Sequence, residues 1–106
     1  MKLLAATESY EDVVARHRLA FVYFTAQWCG PCKRVSPVFE SLSTGAPDGT
    51  VFLKVDVDDH DAACTRLKIE SVPTLLVFVD GKCVERLGVA VDTLTNTVRH
   101  YMATSK

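Results

Sequence analysis

The chain has 106 residues, 48 % of them hydrophobic, and a formal net charge of -1. That length suits one domain, residues 1–106, with a core that needs no metal or disulfide staple, which leaves the four cysteines available for chemistry. The interspersed charges form no basic stripe for nucleic acid, and no apolar run approaches the roughly 20 residues of a membrane span.

The opening MKLLAATESYEDVV holds only a four-residue apolar patch, too short for a signal-peptide core, and reads as a weak first strand over residues 2–5. With no export signal, the cysteines point to a reducing compartment, the cytoplasm, where a close pair is more often catalytic or metal-binding than structural. Residues 9–18 are amphipathic, with Tyr10, Val13, Val14 and His17 on one helical face. Residues 19–26 form a β-rich run. From Pro31 to about Leu42, Val35, Val38, Phe39 and Leu42 recur at helical spacing, and Gly45 with Pro47 ends the element.

The next strand covers residues 51–57 (VFLKVDV), and Asp58 or Asp59 is placed to cap a helix over Asp61–Leu67. TLLVFV, residues 74–79, stops at Asp80-Gly81, a strong hairpin signal, so residues 82–87 return antiparallel beside it. Asp92 or Thr93 opens a last helix through Met102. The order βαβαβα then ββα predicts a sheet that is parallel where helices intervene and antiparallel at the hairpin. Runs as apolar as LAFVYF and TLLVFV fit strands covered on both faces.

Cys29-Gly30-Pro31-Cys32 falls at a strand-to-helix junction, with Pro31 in the first-turn position that proline favours. Cys29 then sits where first-turn amides and the positive end of the helix dipole favour a thiolate, with Lys33 and Arg34 adding charge. Cys32, one turn in, is expected to be less accessible. The spacing supplies an attacking thiol and a second thiol able to close a small ring with it. A structural zinc site would need a second pair at similar spacing, and His60, Cys64 and Cys83 do not provide one, so no metal is expected. No histidine is evident beside Cys29, which disfavours a Cys/His hydrolase. The three histidines, His17, His60 and His100, lie in or beside surface helices and are expected to be solvated.

The string AQWCGPCKR resembles the active-site segment of the thioredoxin family, and the likeness extends along nearly the whole chain: FLKVDVDD, SVPT, the Asp80-Gly81 hairpin and Gly88 all have counterparts. The resemblance implies the thioredoxin fold, an α/β architecture with a central mixed five-stranded sheet flanked by four helices. It implies a protein dithiol-disulfide oxidoreductase, with Cys29 as nucleophile, Cys32 as resolving thiol, and Gly30 and Pro31 tuning the redox poise. Trp28 belongs to the contact surface. On the same resemblance Pro73 would hold a cis peptide bond beside the cysteines, with the backbone of Val72 pairing to an extended target and Thr74 next to it, and Gly88 and Val89 would line a shallow apolar groove. No cofactor is bound: the redox group is the Cys29-Cys32 disulfide, and electrons come from NADPH through thioredoxin reductase. Disulfide-containing proteins are the other partners, and the chain is expected to be a monomer.

Two positions depart from the family pattern: Thr25 stands where many members have tryptophan, and Tyr23 stands where they bury an aspartate near the strand lysine, here Lys54. A phenol, ordinarily ionising near ~10, is no proton acceptor at neutral pH, so Tyr23 is expected to fill the cavity with its hydroxyl on Lys54 or a water. Lys54, lacking a buried anion, is expected to lean toward solvent, and Cys32 to lose its proton to water or to the departing Cys29 sulfur. Two other functions fit the same sequence: a redox-switched docking subunit for another enzyme, and a specialised relay reduced by a low-molecular-weight thiol.

Overall fold

A computed structural model describes residues 1–104 of the chain; Ser105 and Lys106, which the single-domain reading includes, lie outside the described residues. Along the chain run β1 (Lys2–Leu3), α1 (Tyr10–Ala15), β2 (Leu19–Thr25), α2 (Cys32–Ser43), β3 (Thr50–Asp56), a 3-10 turn (Val57–Asp59), α3 (Asp61–Leu67), β4 (Thr74–Val79), β5 (Lys82–Gly88) and α4 (Val91–Thr104). The strands form one mixed sheet in the order β1-β3-β2-β4-β5, with four helices.

Every residue of β2 is buried, and alternate residues serve opposite faces, as the pleat requires. Ala20, Val22 and Phe24 join Val13 and Val14 of α1, with Cys64 and Leu67 of α3 packed against them. Leu19, Phe21 and Tyr23 join Val35 and Phe39 of α2 and Leu94 and Val98 of α4. The continuous apolar runs thus arise because helices cover both faces, each fully buried aliphatic or aromatic side chain contributing about 1.5–3 kcal/mol.

β2 is parallel to β3 and β3 to β1, but β2 is antiparallel to β4 although α3 precedes that strand. The expected rule of parallel pairing after every helix therefore fails at this step. The chain instead enters β4 at Thr74, opposite Phe24, at the end where β2 finishes, and so runs back against β2. The hairpin is as expected: Asp80 and Gly81 both take positive φ, 52° and 82°, which matches the twist of the flanking strands.

Several ends differ from the sequence reading. β1 is only two residues long, and α1 stops at Ala15, with the Ser9 hydroxyl accepting from the Glu11 amide at its start. Neither Asp58 nor Asp59 caps α3; the N-cap is His60, without a side-chain bond, while Asp56 Oδ1 accepts from the Asp58 amide and caps the 3-10 turn. α4 begins at Val91, earlier than Asp92 or Thr93, with Thr93 Oγ1 accepting from the Ala90 amide. His60 is buried rather than solvated: its ring nitrogen Nε2 lies 3.3 Å from the Leu4 carbonyl, tying the segment after β1 to the start of α3.

Candidate active site

β2 ends at Thr25, and the chain turns through residues 26–31 before α2 begins at Cys32. The Cys29 amide donates to the Ala26 carbonyl at 3.2 Å, which folds Cys29 back over the end of the strand. Pro31 is the N-cap, so the regular helix starts one residue later than expected. Cys29 nevertheless meets the helix start: the Cys32 amide donates to Cys29 Sγ at 3.2 Å. An N–H aimed at sulfur, together with the helix dipole, favours the thiolate. The two cysteines are disulfide-bonded, with Cα atoms 5.3 Å apart. Both are buried, 4 % and 2 % exposed, so the expected contrast in access is slight in this oxidised form.

The other candidates collect around the pair from three elements. Val72 packs on the cluster of Ala26, Cys29 and Cys32. The Val72-Pro73 bond is cis, and the Pro73 carbonyl accepts from the Val89 amide at 3.3 Å. Thr74 stands opposite Gly88 in the β4–β5 ladder and donates its hydroxyl to the Ser71 carbonyl at 2.7 Å. A groove of about 730 Å³ runs beside Gly30 and Pro31 to Val89 and Ala90, with Arg34 and Asp92 at its sides. Gly88 lies outside that groove, in a separate hollow with Ser71 and Thr74.

Trp28 is 69 % exposed, yet it is not loose: its indole N–H donates to Asp58 Oδ2 at 2.9 Å. Sequence reasoning read Asp58 only as a helix cap; the double acid after VDV was the available signal, but its target 30 residues away was not.

Tyr23 is fully buried, packed on Phe39 with ring centroids 4.9 Å apart. Sequence reasoning placed its hydroxyl on Lys54 or a water; its partner among the described residues is Ser36 Oγ, at 3.0 Å. Ser36 lies on the face of α2 that covers β2, one turn after Cys32, and sequence reasoning missed it. Lys54 is opposite Tyr23 in the sheet register, half-buried, and makes no ion pair among the described residues. It lines a polar pocket of about 430 Å³ behind Cys32, shared with Ser36 and Asp56. Cys64 is half-buried and Cys83 exposed, and neither is in a disulfide. No group of three or more metal-ligating side chains occurs among the described residues.

A buried Cys-x-x-C disulfide whose first sulfur accepts a helix-start amide, set beside a cis-proline loop, is a thiol-exchange site. The family model described as Thioredoxin matches residues 2–100. The chain belongs to the thioredoxin family. It is 41 % identical over 86 residues to the thioredoxin of Chlamydia trachomatis, covering 81 % of this chain and 82 % of that one. It is 34 % identical over 104 residues to thioredoxin 1 of Plasmodium falciparum, covering 97 % and 99 %. The solved thioredoxin structure from Plasmodium falciparum superposes with a TM-score of 0.87 at 32 % identity, covering 95 % of this chain and 99 % of that one. The thioredoxin fold read from the sequence is the fold observed, and the chain is a protein dithiol-disulfide oxidoreductase. No helix among the described residues is long and apolar enough to cross a membrane.

Proposed function

We propose that this thioredoxin-family protein acts as a monomeric, single-domain cytoplasmic reductant of protein disulfides, with Cys29 as the attacking thiol and Cys32 as the resolving thiol. The observation that carries the assignment is the Cys32 amide donating to Cys29 Sγ at 3.2 Å. Only one of the two sulfurs receives that bond, and the thiolate it favours is the nucleophile. In the reduced form Cys29 attacks a target disulfide, one target sulfur leaves as a thiolate, and Cys29 is held in a mixed disulfide. Cys32 then attacks the Cys29 sulfur, closes the observed disulfide and frees the second target sulfur.

The groove beside Gly30, Pro31 and Val89 takes an extended segment of the target, with the backbone of Val72 as the pairing group before Pro73, Thr74 and Gly88 flanking that loop and Trp28 forming one rim. Gly30 and Pro31 set the redox poise through the conformation of the small ring, with Tyr23 and Lys54 behind it. Electrons return from NADPH through thioredoxin reductase, and no bound cofactor is required. Reduction of insulin disulfides by the dithiol form tests the function: activity is expected in the parent chain and its loss in Cys29→Ser. Retained activity in that variant overturns the assignment. Comparing recycling by thioredoxin reductase with recycling by glutathione separates a thioredoxin from a low-molecular-weight-thiol relay.

A further inference from the structure

The proton of Cys32 has no acceptor in the hydrogen-bonded core behind it. Tyr23 faces Ser36, one hydroxyl against another at 3.0 Å, and neither group takes a proton at neutral pH. Cys32, although buried, is among the residues that line the pocket of about 430 Å³ between α2 and the end of β3. Three carboxylates line that pocket, Glu40, Asp56 and Asp59. Glu40 and Asp59 are exposed, whereas Asp56 is half-buried at the end of β3, opposite Thr25 in the register, where β2 hands over to the cysteine loop. Its side chain is fixed, since Oδ1 accepts from the Asp58 amide at 2.9 Å. Lys54, two residues earlier on the same face, keeps a cation at the wall where the Cys32 thiolate forms. Lys33 and Glu40 of α2 and Asp59 of the 3-10 turn are the other charged groups facing this space.

We propose that Asp56 is the proton acceptor for the resolving thiol, acting through solvent in this pocket. The inference rests on the assignment of Cys29 and Cys32 above, and it adds a carboxylate to the expected passage of the proton to water. As Cys32 sulfur bonds to Cys29 sulfur, the Cys29–target S–S bond breaks and the target sulfur leaves with its electron pair. The Cys32 proton passes through pocket water to the Asp56 carboxylate, which then returns it to solvent or to the departing thiolate. Because a carboxylate is a weaker base than a thiolate, the transfer proceeds as the sulfur is consumed rather than ahead of it.

The test follows the two release steps of 5,5′-dithiobis(2-nitrobenzoate) by stopped flow, in a Cys64→Ala/Cys83→Ala background. The first thionitrobenzoate reports attack by Cys29 and the second reports attack by Cys32. Asp56→Asn keeps an oxygen for the Asp58 amide, and so keeps the turn. It is expected to slow the second release about ten-fold or more at neutral pH, to remove the acidic inflection of that phase, and to leave the first release unchanged. Imidazole added as an external base is expected to accelerate the variant more than the parent. Asp56→Ser, which also offers an oxygen to the turn, gives the same readout if the amide alters folding. An unchanged second phase in Asp56→Asn, or a slowing found in Glu40→Gln or Asp59→Asn instead, overturns the proposal. A parent chain with no first release, or one retained in Cys29→Ser, overturns instead the assignment on which it rests.

Discussion

Trp28 and Asp58 join the cysteine loop to the turn after β3 through a single 2.9 Å hydrogen bond on an exposed surface. A bond of this kind contributes little to folding, about 1 kcal/mol or less, but it fixes the orientation of a large ring beside the disulfide. Asp58→Ala is therefore expected to leave thermal stability nearly unchanged, to shift the emission of the chain's one tryptophan, and to raise KM for protein disulfides more than it lowers kcat. Fluorescence and insulin-reduction kinetics on one preparation check this; an unmoved emission spectrum counts against the clamp.

Tyr23 separates packing from chemistry. Tyr23→Phe keeps the ring on Phe39 and loses only the bond to Ser36, a cost of about 1 kcal/mol, or roughly 4 °C in Tm for a domain of this size. It is expected to retain most of its activity. Tyr23→Ala empties a fully buried site and is expected to cost about 3–5 kcal/mol. Tyr23→Asp is expected to add an ionisation to the pH profile of target reduction, raised by desolvation. A loss of orders of magnitude in Tyr23→Phe, with the fold intact, would show that the phenol takes part in proton transfer.

Tyr101 donates its hydroxyl to Glu85 Oε1 at 2.6 Å, and this bond to a carboxylate, reinforced by burial, pushes the phenol up from 10.0 to about 12. The folded chain therefore holds the proton more tightly than the unfolded chain. The stabilisation is fully present below pH 10 and is lost as pH rises from 10 to about 12. Thermal melts of Tyr101→Phe should lack this part of the alkaline decline seen in the parent chain; parallel curves across the window would rule the linkage out.

The two cysteines outside the site should differ in reactivity. Cys83 is exposed on β5, whereas Cys64 is half-buried and its thiol is pushed up, first by burial and then by the charge of Asp61. Iodoacetamide on the oxidised chain is expected to label Cys83 well before Cys64, as peptide mass spectrometry would show. Equal rates would mean that α3 opens readily from the sheet.

Local patterns made much of the fold legible before any coordinates. The apolar runs of β2 and β4 announced coverage on both faces, Asp80-Gly81 announced a hairpin, and the Cys-Gly-Pro-Cys junction announced the site. The sequence was silent where the partner lay far along the chain. His60 was read from its helix and not from the Leu4 carbonyl, 56 residues away, that holds it in the interior. Ser36, among the residues of α2, gave no sign of its bond to Tyr23, 13 residues earlier. The direction of β4 was set by where the chain re-enters the sheet, with Thr74 opposite Phe24, a pairing of residues 50 apart that no local pattern shows. The cis bond at Pro73 came from family resemblance, because most X-Pro bonds are trans.

β2 lies between β3 and β4, with both faces covered, so its amides are expected to exchange last. The cysteines are carried on the loop that grows directly from this least yielding strand. Making or breaking their bond therefore has a stiff mounting behind it and cannot travel far through the backbone. A partner that tells the oxidised protein from the reduced one must read the loop itself and the rim around it, so selectivity between redox states is a matter of close surface fit and not of a change in shape at a distance.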